Sequence, residues 1–158
     1  MPSDARFEDG AERPLFVTAM DEEGLTVISA LAQDAVLSAT DMRWDARRRR
    51  FASLLNRFRW EDRARAERRG RPYERVRSLL VVDDVLKVRS QGIDRSNRDL
   101  VLSLLSVSWE PAADGAGTVH LTLAGDGAVA LEAECLDVTL KDVTRPYPAP
   151  TGKAPSHK

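Results

Sequence analysis

The chain has 158 residues, of which 42% are hydrophobic and 31% charged, and its formal net charge is −1. That size suits one domain with a real core, and the balance is that of an ordinary soluble globular protein. A single cysteine excludes an internal disulfide framework and a four-cysteine zinc site, and two histidines leave little for metal chemistry. No stretch approaches the roughly 18 apolar residues of a membrane span. The opening Met1-Pro2-Ser3-Asp4 has neither a basic nor an apolar leader region, so a cytoplasmic location is expected.

The small net charge hides an asymmetry. Residues 1–41 carry nine acids and two bases, residues 43–77 carry fourteen arginines and five acids, and residues 78–158 carry eight bases and eleven acids. Of the 24 basic residues, 20 are Arg. A GC-rich genome accounts for that ratio more simply than selection of each guanidinium for forked hydrogen bonds.

Residues 1–13 are polar, acidic and aperiodic, which predicts a flexible N-terminus. Leu15, Val17 and Ala19 alternate with Phe16, Thr18 and Met20, the pattern of a short strand. Asp21 is a candidate N-cap, followed by Glu22 and Glu23 in the first turn. Leu25, Ile28, Leu31, Ala32 and Ala35 then fall on one helical stripe, predicting an amphipathic helix over about residues 22–35. Extended runs follow at 41–45, 51–60, 76–82, 85–89, 100–109, 118–124 and 128–138, with a hairpin turn at Gly125-Asp126-Gly127. The segment 145–158 holds Pro146, Pro148, Pro150 and Pro155, the composition of a disordered tail. The folded body is therefore expected over 14–144.

The segment 34–44 aligns without gaps on 99–109, with Asp, Val, Leu, Ser and Trp coinciding at five of eleven positions. Each segment leads into a turn, a strand, a turn and another strand, and Asp84-Val85-Leu86-Lys87 resembles 137–141. The expected architecture is α+β and mostly antiparallel. Two tandem three-stranded units, 34–93 and 99–144, give about six strands in a sandwich or partly closed barrel, with one N-terminal helix.

The runs Leu55-Asn56-Arg57-Phe58-Arg59-Trp60-Glu61 and 88–95, with Arg49-Arg50-Phe51 and Glu134-Cys135-Leu136, carry a resemblance. The chain resembles a family of small, mostly alphaproteobacterial proteins grouped as domain-of-unknown-function family 2948. The resemblance covers the folded body. It implies a compact cytoplasmic protein and carries over no reaction, cofactor or catalytic residue.

Arg47, Arg48, Arg49 and Arg50 are the most conspicuous feature. Adjacent guanidiniums could grip phosphates or an acidic partner. A hairpin centred on Arg48 would set Trp44 opposite Ala52 and Met42 opposite Leu54. Met42, Trp44, Ala52, Leu54, Phe58 and Trp60 would then share the buried face, with Arg43, Asp45, Ser53, Arg57 and Arg59 outside. That register favours a solvated tip. It also argues against a base-stacking platform at Phe58-Arg59-Trp60, since alternate residues project to opposite faces. The stretch 61–77 reads as a solvated basic excursion or a short helix broken at Gly70 and Pro72. His120 is expected opposite Glu132 or Ala133, too far from Cys135 for a dyad, so Cys135 reads as a small buried residue. Asp83, Asp84 and Asp94 form no recognisable cation loop.

No phosphate-loop, dinucleotide, nucleophile-elbow or zinc-protease motif occurs, and no catalytic residue, cofactor or metal site is assigned. The reading is a small non-catalytic binding or adaptor protein. It would meet an acidic protein partner through an arginine-rich end: Arg47 to Arg50 with Arg57, Arg59, Arg63, Arg65, Arg68 and Arg69. The alternative is RNA or DNA binding through the same arginines. A second alternative is an enzyme or ligand-binding protein with a pocket at Gly92, Asp94 and Arg95.

Overall fold

The computed structural model describes residues 13–94, 96–150 and 153–155. About half of Arg13–Ala149 is strand, all of it in one antiparallel sheet. In chain order the elements are β1 (Phe16–Ala19), α1 (Glu22–Ala32), β2 (Ala35–Ser38), β3 (Met42–Asp45), β4 (Arg50–Phe58), α2 (Arg63–Arg69), β5 (Glu74–Val82), β6 (Val85–Gln91), β7 (Val101–Pro111), β8 (Gly117–Leu123), β9 (Ala128–Ala133), β10 (Val138–Asp142) and β11 (Tyr147–Pro148). Short 3₁₀ turns at Ala39–Asp41 and Trp60–Asp62 precede β3 and α2.

Helix α1 begins as expected. The Asp21 carboxylate accepts from the Gly24 N–H at 2.7 Å. Such a cap is worth about 1 kcal/mol. Eleven residues are marginal alone, so packing holds the helix. Leu25 and Ile28 are fully buried against the sheet, at roughly 1.5–3 kcal/mol each. The helix ends at Ala32, earlier than its apolar stripe suggested, because Ala35 already belongs to β2.

The strands number eleven among the described residues, and α2 is a second helix. The sheet is open, in the order β1-β10-β5-β4-β2-β7-β8-β9-β6, with β3 on β4 and β11 on β5. The expectation of six strands ran β9 into β10 as a single stretch, while the break between the runs 76–82 and 85–89 was already legible. A two-residue turn at Asp83-Asp84 separates β5 from β6, and residues 134–137 separate β9 from β10. Asp84 has φ +60°, so its backbone turns sharply between the two runs. After each break the chain changes partners: β6 joins β9, and β10 joins β5.

The resulting order is symmetric about the contact between β2 and β7. There Leu37 lies opposite Leu102, Val36 opposite Ser103 and Ser38 opposite Val101. Outward from this contact stand β4 and β8, then β5 and β9, then β10 and β6. β1 covers the outer side of β10, whereas β6 ends the order with no strand beyond it among the described residues.

The β3–β4 hairpin departs from its expected register by one residue. Trp44 pairs with Phe51, Met42 with Ser53 and Asp45 with Arg50. The loop is residues 46–49, and Arg49 sits at φ +55°. Nothing in an arginine run marks a left-handed residue. A one-residue slip moves every side chain to the other face. The buried face of β4 is therefore Phe51, Ser53, Leu55 and Arg57, and Trp44 stays 36% exposed.

Residues expected in a disordered tail also join the sheet. Tyr147 and Pro148 pair with Arg75 and Glu74, and the Ala149 N–H donates to the Tyr73 carbonyl at 2.7 Å. An edge position with few ladder bonds tolerates proline. Of the expected flexible N-terminus, residues 1–12 lie outside the described residues, as do 151–152 and 156–158.

Gly92, with φ +68°, closes the end of β6 against the 125–127 hairpin. A Cβ there would stand 2.8 Å from the Asp126 carbonyl oxygen. Gly92→Ala combines left-handed strain with a backbone clash and should destabilise the fold by about 1–3 kcal/mol. A lowered urea midpoint at unchanged m-value measures this.

Candidate functional site

The two crossovers lie side by side and clasp each other. The Asp83 N–H donates to the Asp137 carbonyl at 3.0 Å, and the Glu134 N–H to the Asp84 carbonyl at 3.0 Å. This brings Asp83, Asp84, Glu134 and Asp137 together. Burial and the charges of Asp83 and Asp84 hold the Asp137 carboxyl above its usual range. Two tip arginines answer this charge. Arg49 Nη1 donates to Glu134 at 2.9 Å and Arg50 Nε to Asp83 at 2.8 Å. The Arg49 carbonyl also accepts from the Val85 N–H at 2.8 Å, which ties the tip to the start of β6.

The arginine tetrad therefore divides. Arg49 and Arg50 are engaged with the crossovers. Arg47 and Arg48 face water, and the contact of Arg48 with Asp45 is 3.9 Å long between exposed groups. Such a pair contributes at most about 1 kcal/mol.

Arg57 and Arg59 are not on an outer face. The Arg57 side chain is fully buried. Its guanidinium donates to Glu61 at 2.9 and 2.7 Å, to Asp142 at 3.0 Å and to Ser78 at 2.9 Å. Asp142 also accepts from the Ser78 hydroxyl at 2.6 Å and the Leu15 N–H at 3.0 Å. Beside it, Arg59 bonds Glu74 and lies 3.8 Å from Asp62, which Arg71 grips through both oxygens at 2.7 and 2.6 Å. Removing one partner of such a buried set costs about 3–5 kcal/mol. These arginines join β1, β4, β5 and β10 to the α2 segment and offer no charge to a ligand.

That segment is anchored. Trp60 Nε1 donates to the Gln33 carbonyl at 3.0 Å, and the Phe58 ring meets Trp60 and Tyr73 edge-on at 4.7 and 5.5 Å. Phe58 and Trp60 thus share a cluster, where strand alternation had predicted Phe and Trp beneath an arginine face. The strand ends at Phe58, and the 3₁₀ turn brings the indole round. Arg63 pairs with Glu67 at 3.2 Å and lies over Trp60, while Arg68 and Arg69 are exposed and Arg65 half-buried. These residues sit at the far end of β4 from the tip, about 26 Å along a nine-residue strand. The expected single basic end is two separate regions.

His120 pairs across the hairpin with Ala130, and its Nε2 lies 2.8 Å from Glu110. Cys135 is exposed, contrary to the buried reading, because the chain has left β9 by that point. Its Sγ lies 3.1 Å from Asp84, and the hydrogen bond to that carboxylate, with burial, pushes the thiol up to about 11. Among the described residues no group of three or more His, Cys, Asp or Glu is placed to hold a metal ion. No helix among them is long and apolar enough to cross a membrane.

Of the expected pocket, Gly92 is fixed by packing and Arg95 lies outside the described residues. Asp94 accepts from the Ser96 N–H and hydroxyl, bonds that hold its carboxyl below the usual range. An actual cleft opens one residue away. It holds about 220 Å³ between Met42, Trp44 and Phe51 on one side and Val88, Ile93 and Val129 on the other, with Thr40 and Ser90 also lining it. It lies where the two unpaired margins of the folded sheet, β3 and β6, face each other. Sequence reading missed it because β3 and β6 are remote in the strand order. The only signal was the alternation that put Met42 and Trp44 on one face.

A family described as proteins of unknown function (DUF2948) matches residues 15–157, and the chain belongs to that family. No curated protein and no solved structure matches it.

Two measurements check the electrostatics. Burial alone would raise the Asp62 pKa, but Arg71 and Arg59 outweigh it and hold the carboxyl below its usual range. Its stabilisation is therefore present above the unfolded value and lost as pH falls through the folded one. The wild type should exceed Asp62→Asn in urea midpoint at neutral pH, and the gap should close below about pH 4. Cys135 should react slowly with an aromatic disulfide at pH 8, and Asp84→Asn should bring its apparent pKa down toward 9.

Proposed function

We propose that this protein is a non-catalytic binding module that takes an extended acidic segment of a partner protein along the free edge of β6. One observation carries the reading: among the described residues the symmetric order puts no strand over β6 beyond the Arg49–Val85 bond at its start, where its counterpart β10 is covered by β1. We read that symmetry as an internal duplication in which one half kept a covering strand. An incoming segment would lie antiparallel to β6, as β1 does to β10, and satisfy its outward backbone groups.

Its chemistry follows from the surroundings. Lys87 and Arg89 are exposed on β6, and the contact of Arg89 with Glu132 is a surface pair at 3.4 Å. Arg47 and Arg48 stand at the end of the cleft where the tip meets Val85. An edge with this charge repels another β6 and attracts acidic residues. The cleft beside it accepts one apolar side chain against Trp44 and Val88.

The test is fluorescence anisotropy of a labelled peptide of alternating Glu and Val, beside its Lys–Val counterpart and single- and double-stranded RNA and DNA. The acidic peptide should bind saturably. Lys87→Glu with Arg89→Glu should weaken it at least tenfold, and Trp44→Ala should weaken it at unchanged salt slope. Tighter, length-dependent binding of an oligonucleotide that the tip variant Arg47→Ala, Arg48→Ala abolishes would replace this reading with nucleic-acid recognition.

A further inference from the structure

The opposite margin of the sheet has another character. β1 ends the strand order on that side, with β10 its only strand neighbour among the described residues. Residues 15–20 contain no charge, no proline and no glycine. Exposed edges ordinarily carry such residues, because a bare strand recruits another chain. The Asp142 N–H donates to the Leu15 carbonyl. In an antiparallel ladder alternate residues face the same neighbour, so Leu15, Val17 and Ala19 direct their backbone groups to β10. Phe16, Thr18 and Met20 direct theirs away from the sheet. The same residues expose apolar side chains: Phe16 is 69% and Met20 72% exposed. An open groove of about 630 Å³ runs beside them, bounded by Ala19, Met20, Gly24 and Val27, with Val27 itself 50% exposed.

We infer that β1 pairs with β1 of a second copy of this chain, antiparallel about a two-fold axis at Thr18. Charge selects this occupant. Arg13 is exposed at the start of β1, and Lys141 lies across from Phe16. Asp21, Glu22 and Glu23 are exposed just beyond its end. One end of the edge is cationic and the other anionic, so antiparallel self-pairing sets opposite charges together at both ends. A parallel arrangement would oppose like charges. An axis at Thr18 also sets Phe16 against Met20 of the second copy, twice. Val17 of each copy then lies against Ala19 of the other, beside the groove under Val27. The interface is isologous and closes at two subunits.

Light scattering coupled to size exclusion, over a dilution series of the full chain, tests this. The wild type should be a dimer that dissociates on dilution. Phe16→Glu alone should weaken dimerisation at least tenfold, and Met20→Lys alone should weaken it likewise. The double variant Phe16→Glu, Met20→Lys sets Glu against Lys at both contacts and should recover the dimer. Both side chains are surface groups, so circular dichroism and urea midpoints should stay close to wild type. In a Cys135→Ala background, Thr18→Cys should form an intermolecular disulfide on mild oxidation, since paired Cα atoms about 5.5 Å apart suit that bond. A wild-type monomer at every concentration overturns the inference. So does a dimer indifferent to Phe16→Glu, or a double variant no better than either single one.

Discussion

A strand that leaves one half of a sheet to pair in the other must carry its backbone across the gap without stranding polar groups. Two strands do this here, β6 and β10, and each crossing supplies what the other lacks. The amides of Asp83 and Glu134 donate to the carbonyls of Asp137 and Asp84. The exchange gives each half an outer strand from the other, so neither four-stranded half is complete alone. It also gathers four carboxylates at one point, and the neighbouring hairpin supplies Arg49 and Arg50. The tip arginines thus follow from the topology: two neutralise the clasp, and two are left over for the surface.

The other charged assembly solves a different problem. Arg57 occupies an inward position on β4, in line with Phe51 and Leu55. A guanidinium there survives only with its donors met, and Glu61, Asp142 and Ser78 meet them. The partners come from three separated parts of the chain, and Asp142 in turn holds the Leu15 N–H, so the network fixes how β1, the 3₁₀ turn, β5 and β10 come together. Such an assembly stabilises little compared with an apolar core of the same volume, but breaking it is expensive. Its value lies in the single arrangement it permits.

Local signals were legible in the sequence and pairings were not. Asp21 with the stripe at Leu25 and Ile28 specified α1, and Gly125-Asp126-Gly127 specified the β8–β9 hairpin. The matching segments at 34–44 and 99–109 are the ones whose β2 and β7 portions meet at the centre of the sheet. The failures share one cause. A left-handed Arg49 set the hairpin register, and an arginine in an arginine run does not announce that conformation. From the wrong register, Arg57 and Arg59 were assigned to solvent, and the basic surface was drawn as one. The cleft was hidden for a further reason: its walls, Trp44 and Val88, come from β3 beside β4 and from β6 at the end of the order, a separation that no periodicity encodes.

The exchange of outer strands has a consequence for synthesis. β5 is made some sixty residues before its partner β10, and β1 about 120 residues before the same strand. As the chain leaves the ribosome, β4 and β5 can form their ladder, but β1 has nothing to join. The uncharged edge of residues 15–20 is thus bare through most of translation. Contacts this distant close slowly, and open strands are exposed meanwhile to other nascent chains. Arrival of β10 therefore does more than add a strand: it ends the interval in which the chain is most open to aggregation. Truncated or stalled products ending before Val138 would leave β1 and β5 without that partner.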